Sequence, residues 1–438
     1  MDPLHLNCTV LYCTVLSWGM FHHPTKCKTH MRHLSVACCT TGMPNASAFP
    51  LLQLPDNCLE AVLRCCSNDQ RSLFSAARAH SRLHLTAVSV LQSIKAVRAQ
   101  QRHVNSVLRY LKKHGQQLDS VSISGSLGCI VKLPLPPSVQ LDSLQLSGVS
   151  LQVAWQGYGL LGVLGPAAGA ATALRQLWLS DCKLHNRAAE QALAAAMWKL
   201  PEGLQHLSIS NIRPRDFRFP VGVCQQLQQL THLELADVEV VFPDGASRKL
   251  PGLQGMTRLV DVRLVDVSRV EVGDMLSGMQ HLTHLELLPC WSLEVSVFDG
   301  KIQLQHLALY DMGMSAEQVA QLLSHLQHMR QLTHLSLDTA LDSHDEGSPP
   351  AAAYAALTAS SKLALLNICA CRVPAGAWQH ILPTGKQLPH LTEFDLAHLE
   401  QPSGDEGKGY PQQAAALSAA AQTCRSWTCR ACSTVQSC

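Results

Sequence analysis

Two stretches of this chain are identical: LTHLEL at Leu230–Leu235 and LTHLEL again at Leu282–Leu287, with a variant, LTHLSL, at Leu332–Leu337. Leucines at the fourth and sixth positions flank a polar residue, the two-residue period of a strand with one face buried. Allowing Val, Ile or Phe for Leu, the hexamer occurs eleven times, beginning at Leu118, Leu141, Leu174, Leu204, Leu230, Leu259, Leu282, Leu304, Leu332, Leu363 and Leu391. Successive starts lie 22 to 33 residues apart. One such hexamer arises by chance; eleven at one loose period define an internal repeat.

Between the hexamers the texture changes. RAAEQALAAAMWKL (Arg187–Leu200) and SAEQVAQLLSHLQHM (Ser315–Met329) carry apolar residues at helical spacing. Ser315 and Gln318 have the spacing of a capping box. The unit is therefore a short strand followed by a return segment, with helices expected in most returns.

This pattern resembles the leucine-rich repeat proteins, over about Leu118 to Glu400. The resemblance implies an α/β leucine-rich repeat solenoid: a horseshoe of about eleven repeats with parallel strands on the concave face and helices outside. The family places Asn or Cys three residues after the last strand leucine, where it satisfies buried turn amides. Here Cys182, Cys290 and Cys371 stand at that position, and Val149, Ile212, Val238, Val267 and Met312 stand there in other repeats. The cysteines then count as core residues rather than metal ligands. How the apolar variants satisfy their turns stays open at this level.

Outside the repeats the chain divides into a patternless segment 1–48, expected to be disordered; a helical segment 49–90; a linking helix and cap at 91–117; and, after the repeats at 118–400, a flexible tail 401–438. In LLQLPDNCLEAVLRCCSNDQRSLFSAARAHSRLHL (Leu51–Leu85) a Leu-Pro pair opens an amphipathic helix, with a second helix after a polar break. This resembles an F-box over about 35 residues. The resemblance implies docking on a Skp1-type adaptor, with Leu54, Pro55, Leu59, Val62, Leu63, Leu73 and Phe74 as the adaptor-binding residues. Asn57 and Cys58 depart from the acidic and aliphatic residues usual there. The competing reading is a helical cap, which a repeat array needs to cover the core of its first unit.

Composition narrows the function classes. Of 438 residues 47% are hydrophobic, enough for a large core, and 34 basic against 32 acidic residues give a formal net charge of +2. That balance supplies no electrostatic drive toward nucleic acid or anionic membranes. The 18 cysteines are scattered without disulfide-framework spacing, which points to a reducing, cytoplasmic or nuclear setting. The amino terminus lacks a basic region and a cleavage site for export, and no uninterrupted apolar run is long enough to span a membrane.

Signs of catalysis are few. GYGLLG places Gly157, Gly159 and Gly162 in a dinucleotide-like G-x-G-x-x-G, but the glycines do not join a strand directly to a helix as pyrophosphate binding requires. Cys424, Cys429, Cys432 and Cys438 have only a loose zinc-like spacing. No enzyme activity, cofactor or metal is expected.

Function is expected on the concave face instead, as non-enzymatic protein binding. Its candidate partner-binding residues are Trp178, His206, His232, Glu234, Arg263, His284, Glu286, His306, Tyr310, His334 and Asp338. The five histidines of one column admit three readings: a duplicated surface residue, a pH-sensitive partner contact, or a metal row, which a straight line of ligands suits poorly. With the F-box resemblance, the expectation is a substrate receptor of a Skp1–cullin–F-box ubiquitin ligase. The alternative is a repeat scaffold in a cytoskeletal or ciliary axonemal assembly.

Overall fold

The computed structural model describes residues 54–395, except 66–72, 134–140, 154–173, 214–216, 242–252, 268–275, 290–292, 342–348 and some isolated positions. The expectations for segments 1–48 and 401–438, for Gly157–Gly162, for Cys290 and for the four terminal cysteines lie outside the described residues.

One parallel sheet of twelve strands runs the length of the solenoid, its strands following one another in chain order. Its first members are β1 (Ser93–Ala99), β2 (Ser120–Gly125) and β4 (Ser143–Ser147). Then come β6 (Gln176–Ser180), β8 (His206–Ser210), β10 (His232–Ala236), β12 (Asp261–Val265) and β13 (His284–Leu287). β14 (His306–Tyr310), β15 (His334–Asp338), β16 (Leu365–Asn367) and β17 (Glu393–Asp395) complete it. The alternating leucines explain the arrangement. Leu230, Leu233 and Leu235 are each buried, and the equivalent leucines of the neighbouring repeats join them in one continuous core. A fully buried leucine contributes roughly 1.5–3 kcal/mol, and a parallel sheet is stable only when its apolar face is covered in this way. The chain is a leucine-rich repeat solenoid.

The sheet begins one strand earlier than the hexamer count implies. β1 pairs in parallel with β2, and Leu91 and Ile94 occupy the leucine sites of a twelfth unit. The third site holds Ala96, which is why the hexamer does not register there. The segment expected as a linking helix and cap therefore contains a strand and then a helix, α3 (Gln101–His114).

Among the described residues, α-helices do not fill every return. Long helices fill only three of them: α3, α4 (Arg187–Met197) and α5 (Ala316–Leu326). Space explains the rest. The 22 residues from His284 to His306 leave room only for a 3-10 turn at Val295–Phe298, whereas the longer return after β14 accommodates α5, closed by the expected box in which Ser315 accepts from the Gln318 amide. Short parallel strands also lie in the returns: β3 (Ile130–Leu133), β5 (Ser150–Val153) and β7 (Lys183–Leu184) form one small sheet, β9 (Arg218–Pro220) and β11 (Glu239–Val241) another.

The turns leaving the strands answer the open question about their amides. Five residues after the first residue of a strand, the chain enters the left-handed region at Arg98, Gly148, Asp181, Asn211, Asp237, Asp266, Asp311 and Thr339, with φ between 48° and 63°. Gly, Asn and Asp tolerate that conformation best. From Gly148 onward each of these turn amides donates to the next repeat: Asp181 N to Ser210 O at 3.0 Å, Asn211 N to Ala236 O at 2.9 Å, Asp237 N to Val265 O at 2.9 Å. The backbone does this work, so the following position is free to be apolar. Val149, Ile212, Val238, Val267 and Met312 are all buried. Cys182 and Cys371 are buried too, and their thiols donate to Leu146 O and Leu337 O. Burial pushes both thiols up to about 12, so they stay neutral.

At the amino-terminal end, α1 (Asp56–Cys65) packs on α2 (Ser81–Val90), followed directly by β1. Arg82 ties the two helices together, donating to Leu54 O and Asp56 Oδ1, both at 2.6 Å. Among the described residues, no helix is long and apolar enough to cross a membrane.

Candidate functional site

Pairing in register turns the repeated hexamer into columns. His206, His232, Asp261, His284, His306 and His334 are successive neighbours across β8, β10, β12, β13, β14 and β15. Beside them run Trp178, Ser208, Glu234, Arg263, Glu286, Ala308 and Ser336. Tyr310 and Asp338 face each other one position further along. All eleven predicted concave residues are half-buried. The floor is more crowded than alternation implies: Ser208, Ala308 and Ser336 are buried beneath longer neighbours.

The histidines stack on one another. His284 and His306 lie 3.8 Å apart between ring centres and 9° from parallel. His306 and His334 are 5.3 Å apart, and His206 and His232 5.0 Å. Trp178 closes the other end against His206 at 4.5 Å. The column therefore forms two stacks, His206–His232 and His284–His306–His334, separated at Asp261, with Trp178 of the next column tilted 44° against His206. Nothing in the sequence alone signals stacking; it needs the register of the sheet.

Threonine explains the middle letter of the repeated LTH. Thr231 Oγ1 donates to Gln205 O at 2.9 Å and lies 2.8 Å from His232 Nδ1. Thr333 does the same with Gln305 O and His334 Nδ1, at 2.9 and 2.8 Å. A hydroxyl has one hydrogen, and the carbonyl takes it, so the imidazole must donate from Nδ1. That assigns the Nδ1–H tautomer to neutral His232 and His334 and leaves Nε2 as the acceptor. Thr283 and Thr392 bond the same way to Val260 O and Ala364 O.

Burial, reinforced by neighbouring imidazoles, lowers His306 to about 4. His206 is lowered by burial and then by His232, and His284 chiefly by burial. Near neutral pH these stacked rings are uncharged. Arg263 bonds Asp261 of its own strand through Nε and Nη2, both at 3.2 Å. That hydrogen bond, with the Asp261, Glu286 and Glu234 charges, raises the guanidinium against the opposing effect of burial. Glu286 is raised by burial, only partly offset by Arg263. Ser208 Oγ donates to Glu234 Oε2 at 2.8 Å. Among the described residues no cluster of three His, Cys, Asp or Glu side chains could hold a metal ion. Parallel stacking holds the rings side by side instead of converging them on one point.

The seven residues expected to meet an adaptor are placed differently. Leu54, Leu59, Leu63 and Leu73 are buried in the core that continues into the first repeat. Val62 and Phe74 pack against that core, Phe74 edge-on to Tyr110 of α3 at 5.9 Å. Pro55 alone is exposed. The leucines thus seal the end of the solenoid, and the outward side of α1 carries Asn57, Ala61 and Arg64, with Pro55 exposed just before it.

No protein-family model and no curated protein matches the chain. Among solved structures, an internalin of Listeria monocytogenes is similar at a TM-score of 0.47 and 11% identity, over 82% of this chain and 93% of that one. A leucine-rich repeat protein of Leptospira interrogans is similar at a TM-score of 0.42 and 13% identity, over 83% of this chain and 98% of that one.

Proposed function

We propose that this chain is a non-enzymatic protein-interaction module that holds a protein partner on its concave face. The observation that carries this reading is the continuity of that face. Twelve strands at ~4.8 Å spacing present an arc on the order of 50 Å, ample for a standard interface of ~800 Å² per partner. Half-exposed Trp178, Arg263 and Tyr310, residue types that commonly anchor interfaces, lie on it. The test is affinity purification with wild type and with the Trp178→Ala/Tyr310→Ala pair. Partners present with wild type and lost with the pair support the reading. Partners retained by the pair but lost when exposed return-segment residues are changed would overturn it.

Within that reading we propose a substrate receptor of a Skp1–cullin–F-box ubiquitin ligase, acting in the cytoplasm or nucleus. The chain would catalyse nothing itself but would raise the effective concentration of a substrate near the ligase. The Leu-Pro opening at Leu54–Pro55 and the helices that follow support it. Because Leu59 and its companions are internal, docking without opening the cap would use the outward side of α1. Co-expression with a Skp1-type adaptor tests this. Association of wild type, lost in Ala61→Glu with the fold intact, is the expected result. A folded wild type that fails to associate favours the cytoskeletal or ciliary scaffold.

A further inference from the structure

The chain is almost neutral, with 34 basic and 32 acidic residues, but its concave side is not. Over β6 to β15 the floor carries Glu234, Asp261, Glu286 and Asp338. The rim at the carboxyl ends of the same strands carries Asp181, Asp237, Asp266 and Asp311 in the left-handed turns. Against these eight carboxylates, the described residues of the same columns hold one cation, Arg263.

The break between the aromatic stacks lies in the middle of this field. His232 and His284 stand on either side of Asp261, two strand spacings or ~10 Å apart. In the adjacent column Glu234 and Glu286 flank Arg263 in register. Arg263 already shows which chemistry this region accommodates: its guanidinium grips Asp261 through two nitrogens. His284, lowered chiefly by burial, is uncharged near neutral pH and presents a ring that attracts a cation.

We propose that the partner is a protein with an extended arginine-bearing basic segment, bound along this floor and rim, its guanidinium groups meeting the carboxylates of Glu234 and Glu286 and of the rim aspartates. The assignment rests on the reading that the concave face holds a protein. Arginine suits this floor better than lysine, because its planar group stacks on rings and donates to carboxylates at the same time. Charge complementarity also predicts steering, and hence salt dependence.

The test uses the full chain and three labelled peptides, alternating Arg-Ser, Lys-Ser and Glu-Ser of equal length. The arginine peptide should bind most tightly and weaken as salt is raised, and the glutamate peptide should not bind. Glu234→Gln/Glu286→Gln and Asp237→Asn/Asp266→Asn should each weaken arginine-peptide binding by about tenfold, while Glu202→Gln/Glu317→Gln on the returns should leave it unchanged. His284→Ala should reduce the preference for arginine over lysine. Equal binding by the floor, rim and return variants, or equal affinity for the arginine and glutamate peptides, overturns the proposal. The two readings fail separately. Cellular partners lost with Trp178→Ala/Tyr310→Ala but indifferent to both carboxylate variants remove the basic partner and keep protein binding. Partners indifferent to every concave variant remove both.

Discussion

Thr231 and Thr333 each carry a bond to the preceding strand and an imidazole at once. Replacing Thr231 by Val keeps the shape and removes both contacts. We expect a loss of about 1 kcal/mol, read from the midpoint of urea unfolding. Nitrogen NMR of His232 should show the Nδ1–H tautomer in the wild type and a mixture in the variant. The stacked histidines make a second prediction. His206, His284 and His306 are lowered in the folded state from 6.5, His306 to about 4. The unfolded chain therefore binds more protons in that interval, and the stability these rings contribute is complete above pH 6.5 and lost progressively toward pH 4. Glu286 runs the other way, since its raised value favours the folded state as pH falls through the carboxylate range. The melting temperature should drop between pH 7.5 and 5, and His306→Gln should flatten that slope. A wild-type melting temperature constant over this range would contradict the titration. The leucines were legible in the sequence because their period is local. The roles of Thr231 and the imidazoles were not, because they depend on which residue the neighbouring repeat sets alongside.

At the scale of the element, the strand and the turn are tightly specified and the return is not. The left-handed turn explains why Asp, Asn and Gly recur just after the strands. Asp237, at φ 52°, is a clean test. Asp237→Val should cost about 1–2 kcal/mol, whereas Asp237→Gly should leave thermal stability unchanged or raised. Equal stability of the two variants would show that the turn does not demand this geometry. At β13 the equivalent position is Pro289, whose ring excludes positive φ, and the left-handed series skips it. Sequence periodicity overestimated the helices because apolar spacing describes what a segment prefers, while return length decides what fits. It missed β1 for a different reason: Ala96 fills a leucine site that the helical layer beside it, including α3, helps to cover.

For the whole molecule, the ordering of strands along one axis makes every repeat depend on its two neighbours. Leu233 is central to that coupling, 1% exposed on β10 between β8 and β12. Leu233→Ala should cost about 2–5 kcal/mol, and hydrogen exchange should rise in the flanking strands before it rises at the ends. At the amino-terminal end, Leu59→Asp places a charge at a site that is 0% exposed. It should disrupt the cap, reducing soluble yield, where Ala61→Glu does not. The residues expected to meet an adaptor were the least legible part of the candidate site. A leucine that seals a core and one that awaits a partner have the same local pattern, and only burial separates them.

The direction of the ladder has a mechanical consequence. Hydrogen bonds between neighbouring strands lie along the long axis, and the chain enters at one end of the sheet and leaves at the other. A pull on the two ends therefore loads the repeats as links in series, and each boundary is peeled rather than sheared. Extension should proceed in small, low-force steps, each releasing one unit of 22 to 33 residues, or roughly 70–120 Å of contour. A chain loaded in this way lengthens unit by unit instead of unfolding all at once.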